Sequence, residues 1–379
     1  GCGHTFRMQD VGVFFGEPEV TVPDPYFDGR GPERTGCKHC GGCMVGCRFD
    51  AKNTLDKNYL HLAEGLGVEV FPETTADLVR PVEGGYAVDT WRTTHWLRGG
   101  RRTFTAGKVI FSAGVLGTLP LLLRCKEAGT LPHLSPMLGA RVRTNSETLT
   151  GATARTGDVD YSEGVAITSS IYPDDVTHVE PVRYPAGSDA MSALTTPLTD
   201  PAPPVRRVLK WLGNILLHPL DFLRVLWPFG WAKRTIILLV MQTLDNSIRV
   251  FRKRRWWWPF TKSLVSEPEQ KRARVPATIP QAQPITRLLA EKMGGVPQSA
   301  INEVLVNTGI TAHILGGCVI GPDADRGVVD GQGRVYGHEG LTVADGSIIP
   351  ANLGVNPSLT ITALSEHVMS HVPRKDAIS

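Results

Sequence analysis

Four cysteines fall within eleven residues in the stretch CKHCGGCMVGC, at Cys37, Cys40, Cys43 and Cys47. The spacing C-x2-C-x2-C-x3-C is that of thiolates wrapping an iron–sulfur cluster, and Gly41, Gly42 and Gly46 would let backbone close around one. Arg48 stands where ferredoxins carry a proline, no second run supplies another cluster, and zinc sites set their C-x2-C pairs further apart. Either a cluster binds here or the cysteines are a signature that binds nothing. A second candidate is His313 in HILGGC. An imidazole that titrates near neutrality can take a proton from an alcohol, and the glycines after it let backbone pass close to a ligand. A structural histidine is the other reading.

The third candidate is GLTVADGSIIPANLGVNPSLTITALSEHVM. An apolar strand, Leu341 to Ala344, delivers Asp345 and Gly346 to its C-terminal end, where open α/β sheets hold ligands. Asn356-Pro357-Ser358 then opens a helix whose first N–H groups and positive dipole end suit a pyrophosphate or an electron-rich ring edge. An N-capped core helix is the alternative. KVIFSAGVLGT turns sharply at Gly114 and Gly117, as chains do around a nucleotide.

These residues need a scaffold, and 379 residues suit one large two-part domain or two domains. With 41% hydrophobic and 20% charged residues the composition is that of a globular protein, and a net charge of +3 gives no argument for nucleic acid. No uncharged apolar run is long enough to read as a transmembrane helix. Seven cysteines, four of them crowded, disfavour a disulfide framework and point to a reducing, cytoplasmic setting. The start at Gly1 shows no signal-peptide pattern and reads as a processed terminus or a fragment.

Residues 52–66 carry helical spacing through Leu55, Tyr59, Leu62 and Ala63, stopped by Gly65 and Gly67. VEVFPETTADLVRPV and GYAVDTW read as strands joined at Glu83-Gly84-Gly85. KVIFSAG is a short strand, and TLPLLLRCKEAG a helix with Pro120 in its first turn. TIILLVMQTL reads as a buried strand, LTVADGS as another, and a closing helix starts near Ser358.

Together, FSAGVLGTLPLLLR, RTNSE, HILGGC, VVDGQGRV, LTVADGSIIP and GVNPSLTITALSEH resemble the glucose–methanol–choline (GMC) oxidoreductases, and within them the bacterial cholesterol oxidases and their relatives. AGTLPHLSPMLGARVRTN strengthens that likeness, which is dense over residues 36–147 and 311–372 and thin between. The cysteine loop and the Ala51-Lys52 after it also match a signature of many relatives. The resemblance implies an α/β protein (α+β overall). A discontinuous, Rossmann-like FAD-binding part would use residues 60–145 and 326–379. A substrate part with a mostly antiparallel sheet would use residues 1–59 and 146–325. It implies FAD-dependent oxidation of a hydrophobic secondary alcohol to the ketone, with a 3β-hydroxysteroid such as cholesterol as the expected substrate. By motif match His313 would help remove the hydroxyl proton while the carbinol hydride passes to the flavin, and Asn356 would polarise the other side of the hydroxyl. Asp345, Gly346, Pro357 and Ser358 would line the pyrophosphate and the ring, Gly114 would approach by its backbone, and Thr75 would hold the adenine side. Steroid oxidases of this type also use an acid to move a double bond. YPAGSDAM puts Asp189 near that place, a solvent-facing loop acid being the alternative.

The family's G-x-G-x-x-G fingerprint is absent, since neither GCGHTF nor GQGRVYG follows a strand and opens a helix. A segment upstream of this sequence is therefore expected, and weak FAD retention without it. Ile314 replaces the proline that commonly follows the histidine. The thin middle interleaves Trp211, Trp227, Trp231, Trp256, Trp257 and Trp258 with Arg and Lys. That mix suits peripheral membrane contact or a cover over an internal pocket. Nucleic acid is disfavoured because Glu267 and Glu269 interrupt the basic run. The electron acceptor would be oxygen or an unknown diffusing one. The alternatives to a sterol oxidase are a dehydrogenase for another bulky alcohol and a non-catalytic lipid-binding relative.

Overall fold

The computed structural model describes residues 5–256, 258–269 and 275–373, so Trp257 lies outside the described residues. The chain divides into two compact units, each assembled from three stretches. The first holds Gly1–Val70, Glu147–Met241 and Pro276–Ile310, and the second holds Phe71–Ser146, Gln242–Val275 and Thr311–Ser379.

The second unit starts with a meander of Thr74–Val82, Gly85–Arg92 and Arg102–Ala106. Its first turn closes with Val82 opposite Gly85 and Gly84 at φ 75°, a conformation that glycine adopts without the Cβ clash of other residues. The strand Val109–Phe111 then pairs in parallel with Leu341–Val343, more than 200 residues later in the chain. Both are wholly apolar except for Thr342, and Phe111, Leu341 and Val343 are buried while Ile110 is exposed. Each strand feeds a helix or a helical turn: Val115–Glu127 follows the first, Gly346–Ile348 and then Ser358–Ser370 the second. The helix Val115–Glu127 buries Leu119, Leu122 and Cys125 against Val142, Leu315, Val343 and Ile348, which form the core of this unit.

Pro120 sits at the sixth residue of that helix, not in its first turn, because the helix begins earlier than expected, right after Gly114. There it removes one N–H from the ladder. The reading of residues 52–66 as one helix is likewise corrected. A 3-10 turn at Leu55–Lys57 gives way to a short helix at Tyr59–Gly65, with the Asn58 side chain accepting from the Tyr59 N–H between them. The strand expected from residue 68 starts only at Thr74.

The first unit is built on a seven-stranded sheet. Its strands lie in the order Thr5–Met8, Ser169–Tyr172, Thr177–Val182, Thr235–Gln242, Thr148–Ala154, Gly295–Ala300 and Thr195–Pro197. The pairings of Thr148–Ala154 with both its neighbours are antiparallel. Thr235–Gln242 is buried along most of its length, as its run of Ile, Leu and Val demands. The helix Ala282–Lys292 lays Ile285 and Leu289 against Val179, Leu238 and Val240 to close one face.

Candidate active site

The parallel strand pair ends in a lock made by Asp345. Its Oδ2 accepts from the Gly114 N–H at 3.0 Å and from the Thr118 hydroxyl at 2.5 Å. Its Oδ1 accepts from the Ser347 N–H at 2.8 Å and from the Ser347 hydroxyl at 2.5 Å. Four donors on one buried carboxylate tie the end of one strand to the start of the helix that follows the other. Asp345 thus spends both oxygens on the protein. Gly346 is turned inward as well: a Cβ there would meet Ile361 at 3.1 Å and Leu315 at 3.2 Å.

Gly114 is different. Its φ of 66° places it in the left-handed region, and a Cβ built on it would have no neighbour within 4 Å. Backbone is therefore open to an incoming group at the N-terminus of a thirteen-residue helix. Ser358 opens a second thirteen-residue helix after the other strand, and neither helix carries a side-chain cap. An uncapped helix start leaves backbone N–H groups free and can receive an anionic or nucleotide group. The residues present fit the ring and phosphate edge of FAD on these grounds. Pro357 is buried behind Ser358, which is exposed. Thr75 lies on the first meander strand, opposite Trp91, with its hydroxyl 2.7 Å from that of Thr93.

The segments of His313 and Asn356 are held by one strip of backbone. Leu315, two residues after His313, exchanges hydrogen bonds with Arg143, N–H to carbonyl at 2.8 and 3.0 Å. Asn145, two residues after Arg143, grips the loop that carries Asn356: its Oδ1 accepts from the Gly354 N–H at 2.7 Å and its Nδ2 donates to the Val355 carbonyl at 3.0 Å. The Asn145 N–H donates in turn to Asn352 Oδ1 at 2.9 Å, and Asn352 Nδ2 donates to the Leu244 carbonyl at 2.6 Å. The residues after Leu315 run alongside the lock, with Gly316 N–H to Gly346 O at 3.0 Å and Cys318 N–H to Ser347 O at 2.9 Å. Gly316 has φ 77° and leaves room for no Cβ, which would lie 2.2 Å from the Arg141 carbonyl. His313 and Asn356 are each partly exposed at the edge of this frame.

The structure so brings His313, Asn356, Gly114, Asp345, Gly346, Pro357 and Ser358 into the second unit, together with Thr75. Asp189 belongs to the first unit. There its Oδ1 accepts from the Ala232 N–H at 2.9 Å and its Oδ2 from the Gly230 N–H at 3.2 Å, so it caps the turn Trp231–Arg234. Sequence reasoning gave no role to Asn145, Asn352, Thr118 or Ser347. In the sequence Thr118, Ser347 and Asn352 are small polar residues beside apolar neighbours and Asn145 sits within the polar run RTNSE, and nothing local marks their partners.

The chain compares directly with known proteins. Residues 262–365 match the GMC oxidoreductase family model. Over its full length the chain is 48% identical to a cholesterol oxidase of Acinetobacter baumannii, of which it spans 69%. Over 99% of its length it is also 48% identical to a cholesterol oxidase of Mycobacterium tuberculosis, of which it spans 66%. The chain belongs to the GMC oxidoreductase family. As a GMC oxidoreductase it is an FAD-dependent alcohol oxidoreductase, and it spans about two thirds of the length of these relatives. A formate oxidase of Aspergillus oryzae, 13% identical, shares the fold over 82% of this chain and 62% of its own, with a TM-score of 0.54.

The cluster expectation at Cys37, Cys40, Cys43 and Cys47 is not upheld. Among the described residues no group of three or more His, Cys, Asp or Glu side chains is arranged to hold a metal. The four thiols do line one small pocket, with Lys38 and Phe49. Cys37 packs with Ala51 and Val165, and burial, then its neighbouring sulfurs, push its pKa up. Of the tryptophans expected at a sticky surface, Trp231 is instead 1% exposed in the core. Trp211 is half-buried and donates to Thr196 Oγ1 at 2.6 Å, whereas Trp227 and Trp256 are exposed.

Proposed function

We propose that the protein oxidises a bulky hydrophobic secondary alcohol, of the 3β-hydroxysteroid class, to its ketone. The observation that carries this reading is the strip Arg143–Asn145, which holds the His313 segment on one side and the Asn356 loop on the other. FAD, when bound, supplies the acceptor for the carbinol hydride. His313 receives the hydroxyl proton at an imidazole nitrogen, which lets negative charge build on the oxygen as the hydride leaves. The Asn356 amide donates to that oxygen and fixes its direction. The first turns of the helices Val115–Glu127 and Ser358–Ser370 supply backbone N–H groups to the cofactor edge, the open Cα of Gly114 lets the cofactor approach, and Asp345, which takes the Gly114 N–H, holds the chain segments in register. Identity of 48% to two cholesterol oxidases supports the sterol as substrate. Asp189 is assigned no step, because both its oxygens serve the turn it caps.

The test is product analysis with a 3β-hydroxysterol, a long-chain primary alcohol and choline offered to the FAD-loaded protein. The reading expects the 3-ketosteroid from the first, and a loss of about 10²–10⁴-fold in kcat for His313→Gln with flavin content unchanged. Turnover of the primary alcohol or choline in preference to the sterol would overturn the substrate. Full activity of His313→Gln would overturn the role of the histidine.

A further inference from the structure

The helix Pro204–Leu217 of the first unit is amphipathic the wrong way round. At 100° per residue, Arg207, Trp211 and Ile215 fall on one face. Arg207 on that face is 1% exposed, beside Glu303 at 3.7 Å, and donates to the Glu303 carbonyl at 2.9 Å. The apolar stripe Val205, Leu209, Leu212 and Leu216 points to solvent instead, with Val205 75% and Leu216 81% exposed. A globular helix normally turns such a stripe inward. The stripe continues past His218 into the helix Pro219–Leu226, where Leu220 and Leu223 are exposed, and on to Trp227 and Phe229. An exposed apolar surface of this extent marks a contact.

Charge names the partner. Residues 201–234 carry six Arg and Lys and one acid, Asp221; of the cations Arg207 is buried beside Glu303, Arg224 pairs with Asp221 and Lys233 with Asp160. Arg206 and Lys210 are exposed on the flank of the stripe, and no ion pair is formed by either among the described residues. Leucines flanked on one side by Arg206 and Lys210, with tryptophan at the end, match an anionic bilayer: acyl chains take the leucines and headgroups take the cations. No described helix is long and apolar enough to cross a membrane, so the helix would lie in the interface plane. We propose that Pro204–Leu226 is the element by which this protein docks on an anionic lipid surface. The proposal goes beyond the proposed reaction and stands without it.

The test is flotation of the FAD-loaded full chain with vesicles of phosphatidylcholine, with and without phosphatidylserine. The wild type should float with both and more strongly with phosphatidylserine. The variant L209S/L216S should lose binding to both by more than tenfold. Arg206→Gln and Lys210→Gln should each lower binding to the anionic vesicles by about fivefold, equivalent to about 1 kcal/mol, and leave binding to neutral vesicles unchanged. Turnover of substrate in detergent micelles should be the same in all of them, since the positions are exposed and remote in sequence from His313. That readout separates failed docking from failure of the proposed reaction. Equal flotation of wild type and L209S/L216S would overturn the proposal. So would a concentration-dependent dimer that the leucine substitutions abolish, because a second copy would then cover the face.

Discussion

Asn145→Ala is the sharpest perturbation of the catalytic frame. Asn145 is fully buried, has φ 59°, and makes two side-chain hydrogen bonds to the loop of Asn356. Alanine removes both. The buried Gly354 N–H is left without its acceptor, at about 1–3 kcal/mol. The Val355 carbonyl, reached by solvent, loses one net bond of about 0.5–1.5 kcal/mol. Alanine at positive φ costs about 1–2 kcal/mol, which asparagine partly escapes. The total is about 3–6 kcal/mol. Asn145→Gly loses the same bonds without the backbone strain, so it should be about 1 kcal/mol milder. Urea denaturation of the two variants reads both numbers, and hydrogen exchange at the Gly354 amide reads the loop directly. The kcat should fall with the loop while flavin is retained. A destabilisation below about 1 kcal/mol for alanine, with unchanged exchange at Gly354, would refute the clasp.

Other outcomes follow from the same geometry. Asp345→Asn puts an amide among four donors and forfeits at least two bonds to a charged acceptor, so urea melts should show a loss of about 3–6 kcal/mol; a loss under 1 would contradict the lock. Burial pushes the Glu303 carboxyl up to about 7, against the opposing pull of Arg207 and its bond from Thr148. A raised carboxylate pKa means the folded state holds the proton more tightly, so its contribution to stability is full below the ordinary value of 4.5 and is lost as pH rises through about 7. Glu303→Gln should flatten that decline in urea midpoint against pH, and an unchanged slope would contradict it. The Cys318 thiol is pushed up to about 12 by complete burial, and Cys125 is raised by burial too. Brief alkylation of the native protein followed by peptide mass mapping should therefore mark Cys40, Cys43 and Cys47 ahead of Cys37, Cys125 and Cys318, and early label on Cys318 would contradict the burial.

Elements set by local chemistry were legible in the sequence. The Glu83-Gly84-Gly85 turn, the apolar strands at Val109 and Leu341 and the helix at Ser358 carry their signals within a few residues. The Asp345 position at a strand end was legible too, but its use was not. Its partners Gly114 and Thr118 lie 231 and 227 residues away, and no local pattern announces a bond across that span. Asn145 was hidden for the same reason, its loop partner being 210 residues on. The helix Pro204–Leu217 lies in the stretch where the likeness is thin, and no local signal tells that Arg207 takes its inner face beside Glu303. The cysteine run matched a ligand spacing, while the folded loop gives Cys37 an apolar setting.

The central claim is alcohol oxidation through His313, and anaerobic absorption spectroscopy of the FAD-loaded protein tests it most directly. Addition of a 3β-hydroxysterol should bleach the flavin bands of the wild type within turnover time and leave those of His313→Gln almost untouched. Flavin that stays oxidised in the wild type would contradict the sterol as substrate, and equal bleaching in His313→Gln would contradict the histidine as the group that takes the proton.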